Sequence, residues 1–236
     1  MRINVFISST GFCSRREADR LVQNGRVTID NQIASIGMDV SDTNIVKIDG
    51  KVIGKQPDRV YIAFNKPRGI VSTTDQTKPN NIISYLNYPE RIFPIGRLDK
   101  DTSGLILLTN DGMIVNKILR SENNHDKEYI VEVDKPISQD FINKMQTGVE
   151  IYNPVQHVVV ETKPAKIKKI NNSTFNLIIT QGLNLQIRRM CKQLGYNVKT
   201  LKRIRIINIK INDLKIGQWR YLTEKEIVEL LKIIEE

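Results

Sequence analysis

The sequence predicts a mixed α/β protein of two domains: a small α+β module, then a larger domain alternating strands and helices. Three observations predict it. The 236 residues exceed one typical domain of about 150 residues and fall short of two. A capped helix followed by short alternating strands fills residues 1–53. A polar stretch with glycine and proline breakers, residues 54–59, then separates that module from residues 60–236, which carry their own run of strands and helices.

In the small module, SRREADRLVQNGR reads as a helix. Ser14 is placed to cap it, and Glu17 three positions on completes a capping-box pattern. Ala18, Leu21 and Val22 form its apolar face, and Gly25 stops it. Short strands are predicted at 27–29, 33–36 and 45–48, separated by turn signals at Asp30-Asn31 and Asp49-Gly50.

In the larger region, residues 60–64 predict a buried strand and 65–69 a loop. Residues 105–109 predict a strand and 112–120 a helix. A strand at 129–133, a helix at 138–145 and strands at 158–161 and 174–180 follow. Residues 184–194 predict a helix ended by Gly195. Residues 198–211 alternate basic and apolar residues, which predicts one long strand with an apolar face and a basic face. The last helix has Thr223 and Glu226 as a capping box, Leu222 and Ile227 as a staple, and a stripe of Ile227, Leu230, Leu231 and Ile234.

Composition narrows the function classes. The longest strictly apolar run is five residues, 60–64, against about 20 for a membrane span. The first residues lack the apolar core of a signal peptide. Two cysteines, Cys13 and Cys191, and two dispersed histidines build neither a disulfide framework nor a zinc site. The expectation is a cytoplasmic protein with no membrane, metal or cofactor requirement. The net charge of +10 points to a polyanion partner, with RNA or DNA first. Residues 1–55 hold 8 basic and 6 acidic residues and the remainder 28 and 20, so the excess lies mostly on the larger domain.

Three constellations can carry chemistry. GRLDKDTSG, residues 96–104, feeds a glycine-bounded polar loop into an apolar strand. Such a loop holds a carboxylate, here Asp99, on a rigid edge. Arg97 and Lys100 flank it, and a carboxylate among cations can act as nucleophile or base in a polyanion groove. On spacing alone the ordinary reading is a salt-bridged turn. Lys127-Glu128-Tyr129 opens a strand, and Tyr129 could stack on a base or pack in the core. In residues 184–191, one of Arg188 and Arg189 shares a helical face with Asn184. That arginine could pair with Asp99 or grip phosphates. Phosphate-loop, dinucleotide, zinc-protease and serine-hydrolase motifs are missing from the sequence.

These residues resemble a known family. GRLDKDTSGLILLTNDG, with KEY and QIRRM following in that order, is similar to the signature of RsuA-type RNA pseudouridine synthases. Residues 65–72, NKPRGIVS, resemble that family's first catalytic motif, and residues 2–53 its S4-type RNA-binding domain. The stretches IGRLDKDTSGLI, HDKEYIVEVDKPI, QGLNLQIRRMCKQLGY and GQWRYLT are most similar to the RluF-type branch, which acts on 23S rRNA. The resemblance implies an S4-type domain followed by a catalytic domain on a largely antiparallel mixed sheet with flanking helices.

It also implies cofactor-free isomerisation of uridine to pseudouridine with base flipping. In that reading Asp99 is the catalytic carboxylate, Tyr129 stacks on the target base, and Arg188 pairs with Asp99. Arg97, Lys127 and Arg189, together with Arg15, Arg16 and Arg20 of the N-terminal helix, contact RNA. The expected partner is large-subunit rRNA or an assembly intermediate, bound by a monomer. The alternatives are 16S rRNA, a tRNA anticodon stem-loop, or a non-catalytic assembly factor that kept the fold.

Overall fold

The computed structural model describes residues 1–41, 43–54, 57–119, 124–154 and 156–235. Lys55 and Gln56 of the expected linker, and Arg120 at the expected helix end, lie outside the described residues. The chain divides into two compact units, one of Met1–Val60 with Tyr88–Ile92 and Asn110–Gly112, the other of the remaining residues.

The first unit opens with α1 (Ile3–Ser9), a helix that periodicity does not indicate, and α2 (Arg15–Gln23). Ser14 Oγ accepts from the Glu17 amide at 3.2 Å, so the cap forms. The reciprocal half of the capping box does not, because the Glu17 carboxylate takes Arg20 at 3.1 Å instead. Strands β1 (Val27–Ile29), β2 (Gln32–Ile33), β3 (Val46–Ile48) and β4 (Lys51–Val52) make an antiparallel sheet in the order β2-β1-β3-β4. The strand expected at 33–36 is thus cut to its first residue. Ile3, Ile7, Ala18, Leu21, Val22, Val27, Val46 and Ile48 are buried together as this unit's core.

The second unit runs β5 (Tyr61–Lys66), α3 (Ile82–Leu86), β6 (Phe93–Ile95), β7 (Ser103–Thr109), α4 (Gly112–Leu119) and β8 (Lys127–Val133). It continues through α5 (Gln139–Thr147), β9 (Glu150–Asn153), β10 (Val158–Glu161), β11 (Lys166–Lys169), β12 (Thr174–Ile179) and α6 (Gln186–Gln193). It ends with β13 (Val198–Ile206), β14 (Ile209–Lys210), β15 (Trp219–Tyr221) and α7 (Glu224–Glu235). Among the described residues these strands form a nine-stranded mixed sheet ordered β11-β12-β8-β13-β7-β5-β15, with β6 and β14 pairing β7 and β13. Every neighbouring pair is antiparallel except β7 with β13. The β9–β10 hairpin stands apart as its own small sheet.

Two differences from expectation bear on the site. First, β5 continues through Asn65 and Lys66, which pair with Leu105 and Gly104, so the loop begins only at Pro67. Second, the strand expected over 198–211 turns at Ile207-Asn208, and β13 is bulged between Arg203 and Arg205. The extra residue, Ile204, breaks the two-residue period. Arg203 pairs with Tyr129 and Arg205 with Glu128, so the two arginines leave opposite faces of the sheet.

Packing fixes this frame. Leu230 and Ile234 of α7 are buried, with Ile227 and Leu231 partly so, against Leu105, Leu107, Ile206 and Ile209 of the sheet. The capping box of α7 closes in both directions, Thr223 amide to Glu226 carboxylate at 2.9 Å and Glu226 amide to Thr223 Oγ1 at 3.2 Å. On α5, Phe141 packs on Phe175 of β12 and on Tyr196, with ring centroids 5.4 and 4.5 Å apart. Among the described residues no helix is long and apolar enough to cross a membrane.

Candidate active site

The Asp99 loop is held by backbone and side-chain bonds from the segment after β5, from α6 and from within the loop itself. Ser72 Oγ donates to the Leu98 carbonyl at 2.8 Å and accepts from the Leu98 amide at 3.2 Å. The Gly69 amide reaches Lys100 O at 2.8 Å, and the Thr102 amide reaches Asp99 O at 3.0 Å. Arg188 of α6 donates through Nη2 to Asp101 O at 3.0 Å and through Nη1 to Val198 O at 3.3 Å. The segment that resembles the first catalytic motif therefore clamps the loop from one side and α6 from the other.

A cavity of about 850 Å³ lies beside this loop, within the range of about 300–1,000 Å³ typical of small-ligand sites. Asp99, Arg97, Lys127, Tyr129 and Arg188 all line it, so five of the sequence-predicted residues converge. Tyr129 is buried, at 7% exposure, on the central strand β8. The Asp99 carboxylate makes no hydrogen bond or ion pair among the described residues. The expected Arg188–Asp99 ion pair is therefore not formed. Arg188 holds the loop through the Asp101 carbonyl, two residues from the carboxylate.

Arg189 does not line the cavity. Its Nη2 donates to Asn184 Oδ1 at 3.0 Å and its Nη1 to Tyr152 O. A helical face shared with Asn184 requires a helix running from 184, but α6 begins at Gln186, after a left-handed Leu185 at φ 51°. Asn184 thus lies in the preceding turn, where Arg189 reaches it. Arg15, Arg16 and Arg20 are exposed on α2, in the other unit.

Four residues at or beside the site are not marked as buried by any period, although Lys66, Thr102 and Gln186 fall within the NKPRGIVS, GRLDKDTSG and QIRRM stretches. Buried Gln186 accepts from the Leu183 amide at 3.0 Å and shapes the turn that lines the cavity. Lys66 is fully buried, with Nζ donating to Pro67 O and Ile70 O. Burial pushes its pKa down to about 8, against the pull of Asp99 and Asp101. Arg203 is 5% exposed and Thr102 1% exposed, and both line the cavity. A lysine ending a strand and an arginine inside an alternating run have no period that marks them as buried.

Lys127 lines the cavity with its charge already engaged. Its Nζ donates to His125 O at 3.0 Å and Thr180 O at 3.1 Å, tying the start of β8 to the end of β12. Burial, reinforced by the nearby Arg203, pushes its pKa down to about 8. Among the described residues no group of three or more His, Cys, Asp or Glu side chains could hold a metal ion.

Residues 60–193 match the family model described as RNA pseudouridylate synthase, and residues 1–46 match the S4 domain model. The chain is 48% identical over 237 residues to the dual-specificity RNA pseudouridine synthase RluF of Escherichia coli (strain K12), covering 100% of this chain and 80% of that protein. It is 34% identical over 239 residues to ribosomal large subunit pseudouridine synthase B of Bacillus subtilis (strain 168), covering 97% and 95%. A crystal structure of a pseudouridylate synthase superposes with a TM-score of 0.71 at 28% identity, covering 98% and 99%.

Proposed function

The chain belongs to the RNA pseudouridylate synthase family, and from that premise we propose that it isomerises a specific uridine of 23S rRNA with Asp99 as the catalytic carboxylate. The enzyme converts uridine to pseudouridine: the C1′–N1 bond breaks, a C1′–C5 bond forms, C5 gives up a proton and N1 gains one. Atoms balance without any outside group, so no cofactor enters the scheme.

The observation that carries the assignment is Asp99 itself, an unpaired carboxylate on a loop clamped at Leu98, Lys100 and Asp101 beside a cavity. A held loop with a free carboxylate is a positioned reactant. The target uridine has to leave its stack at a cost of a few kcal/mol, which stacking on a ring such as Tyr129 helps offset. Arg97, exposed and lining the same cavity, suits a phosphate next to the flipped nucleotide. Arg188 positions the Asp99 loop. Residues 1–53, with Arg15, Arg16 and Arg20 on α2, place the RNA, and residues 60–236 perform the reaction. The enzyme works as a cytoplasmic monomer in this reading.

Large-subunit rRNA is favoured by the similarity to a ribosomal large subunit synthase. The dual specificity named for the Escherichia coli relative favours a second RNA beside it, either 16S rRNA or a tRNA anticodon stem-loop. Pseudouridine mapping of rRNA and tRNA from cells with and without the gene tests the substrate. Asp99→Asn tests the chemistry. It should lower product formation about 10⁴-fold or more while RNA affinity stays near that of the wild type. An Asp99→Asn enzyme with full activity overturns the assignment. A wild-type protein that binds rRNA without ever forming pseudouridine points instead to an assembly factor.

A further inference from the structure

Strand β13 lies between the two strands that present the site. On one side is β7, which continues from the Asp99 loop; on the other is β8, which carries Tyr129. Arg203 stands opposite Tyr129 and beside Gly104. A ligand held between Asp99 and Tyr129 therefore rests over Arg203.

The guanidinium of Arg203 is incompletely used. Its Nε donates to Leu105 O at 2.7 Å. Neither terminal nitrogen has a partner among the described residues, and Nη2 is fully buried. The Thr102 hydroxyl is also buried without a partner. Both side chains line the cavity. A buried cation with one backbone acceptor and no carboxylate partner is costly, and buried donors in native proteins nearly always find a partner. Lys127 is the less available donor, because two of its three N–H groups are held by the His125 and Thr180 carbonyls. Burial lowers the pKa of Lys127 on the same cavity wall, and the nearby Arg203 lowers it further.

We propose that Arg203 and the Thr102 hydroxyl form an oxyanion site for the flipped uracil, donating to a ring carbonyl as the base takes up negative charge. This rests on the isomerisation proposed above for the same cavity. When the C1′–N1 bond breaks, its electron pair leaves with the ring and spreads onto the O2 and O4 carbonyls. C1′ is held meanwhile by the Asp99 carboxylate. The ring turns, C5 supplies the pair for the C1′–C5 bond, the carboxylate departs, the C5 proton goes to a base, and N1 takes up a proton. Donors fixed where charge develops lower such a barrier without reorganising. Arg97, being exposed, is suited to the backbone phosphate; Arg203, on the cavity floor beside Tyr129, is suited to the base.

The test uses the full chain and an RNA containing the mapped target uridine. Single-turnover pseudouridine formation, RNA affinity and melting temperature are measured for Arg203→Met, Arg203→Lys and Thr102→Val. Arg203→Met should lose about 100-fold in rate with RNA affinity unchanged, and Arg203→Lys should recover part of the loss. Thr102→Val should lose about tenfold in rate while melting at or above the wild-type temperature, since a methyl replaces an unpartnered hydroxyl. On RNA with 5-fluorouridine at the target, whose ring anion is intrinsically more stable, the Arg203→Met deficit in glycosidic cleavage should shrink about tenfold. An unchanged rate in Arg203→Met and Thr102→Val overturns the proposal. So does a weakened RNA affinity with the rate at saturation intact, which marks a phosphate contact. A wild-type enzyme that forms no pseudouridine removes the underlying function as well, and so is told apart from failure of the oxyanion site alone.

Discussion

Two arginines on one strand, Arg203 and Arg205, meet opposite fates. Arg205 bonds Glu128 at 2.6 Å, Asp126 at 3.4 Å and Ile207 O at 2.7 Å, and Glu128 also accepts from Asn176 at 2.7 Å. Arg203, on the other face, has one backbone acceptor and two unused nitrogens. The same side chain is structural where its bonds are complete and available for chemistry where they are not. A single bulge residue, Ile204, separates the two roles.

The contrast can be broken most severely at its hinge. Gly104 sits at φ +105°, and a Cβ there would lie 2.6 Å from the Arg203 amide nitrogen and closer still to its carbonyl. Gly104→Ala should cost about 3 kcal/mol by urea denaturation, because β7 and β13 could no longer approach. Unaltered stability would show that the strands yield easily. Next, Arg205→Met should cost about 2 kcal/mol yet leave the isomerisation rate per folded molecule intact. A rate loss as large as that of Arg203→Met would erase the distinction between the faces.

A smaller effect is pH-dependent. Burial alone would raise the Glu128 pKa, but hydrogen bonds from Arg205 and Asn176 hold it below the usual glutamate range. A carboxyl whose folded pKa is depressed stabilises fully above its unfolded pKa and loses that contribution as pH falls through the folded value. The melting advantage of the wild type over Glu128→Gln should therefore narrow between neutral pH and pH of about 3; an advantage that stays constant would deny the pairing its electrostatic part. The weakest lever belongs to the other unit. Replacing Arg15, Arg16 and Arg20 with glutamine should loosen RNA binding and reduce its salt slope by roughly one for each phosphate no longer gripped, with stability and single-turnover rate near wild type. An unchanged slope would remove α2 from the RNA interface.

Local signals make much of this legible. Caps announce themselves in the residues that make them, so the start of α7 is readable from Thr223 and Glu226. The Asp99 loop reads as a glycine-bounded turn running into a strand, and only the resemblance of GRLDKDTSGLILLTNDG to a synthase signature sets it apart from an ordinary salt-bridged turn. Helix α1 is not readable: INVFISS has little helical preference, and the helix stands because Ile3 and Ile7 bury completely in the unit's core. Arg203 is not readable because a period of two cannot register an inserted residue. The Arg188–Asp99 pairing is what the resemblance implies, whereas the start of α6 at Gln186 and the nearby carbonyls decide where the guanidinium goes.

The parallel contact of β7 with β13 joins Ser103 and Gly104 to Lys202 and Arg203, segments made far apart in time on the ribosome. Asp99 and Tyr129 leave the exit tunnel well before the strand that belongs between their strands has been translated. Until β13 arrives, β8 and β7 have no shared neighbour and the cavity has no floor. A nascent chain therefore carries Asp99 before the cavity it lines is complete. Closing so long a loop is also a slow kind of contact, so completion of the site coincides with completion of the domain.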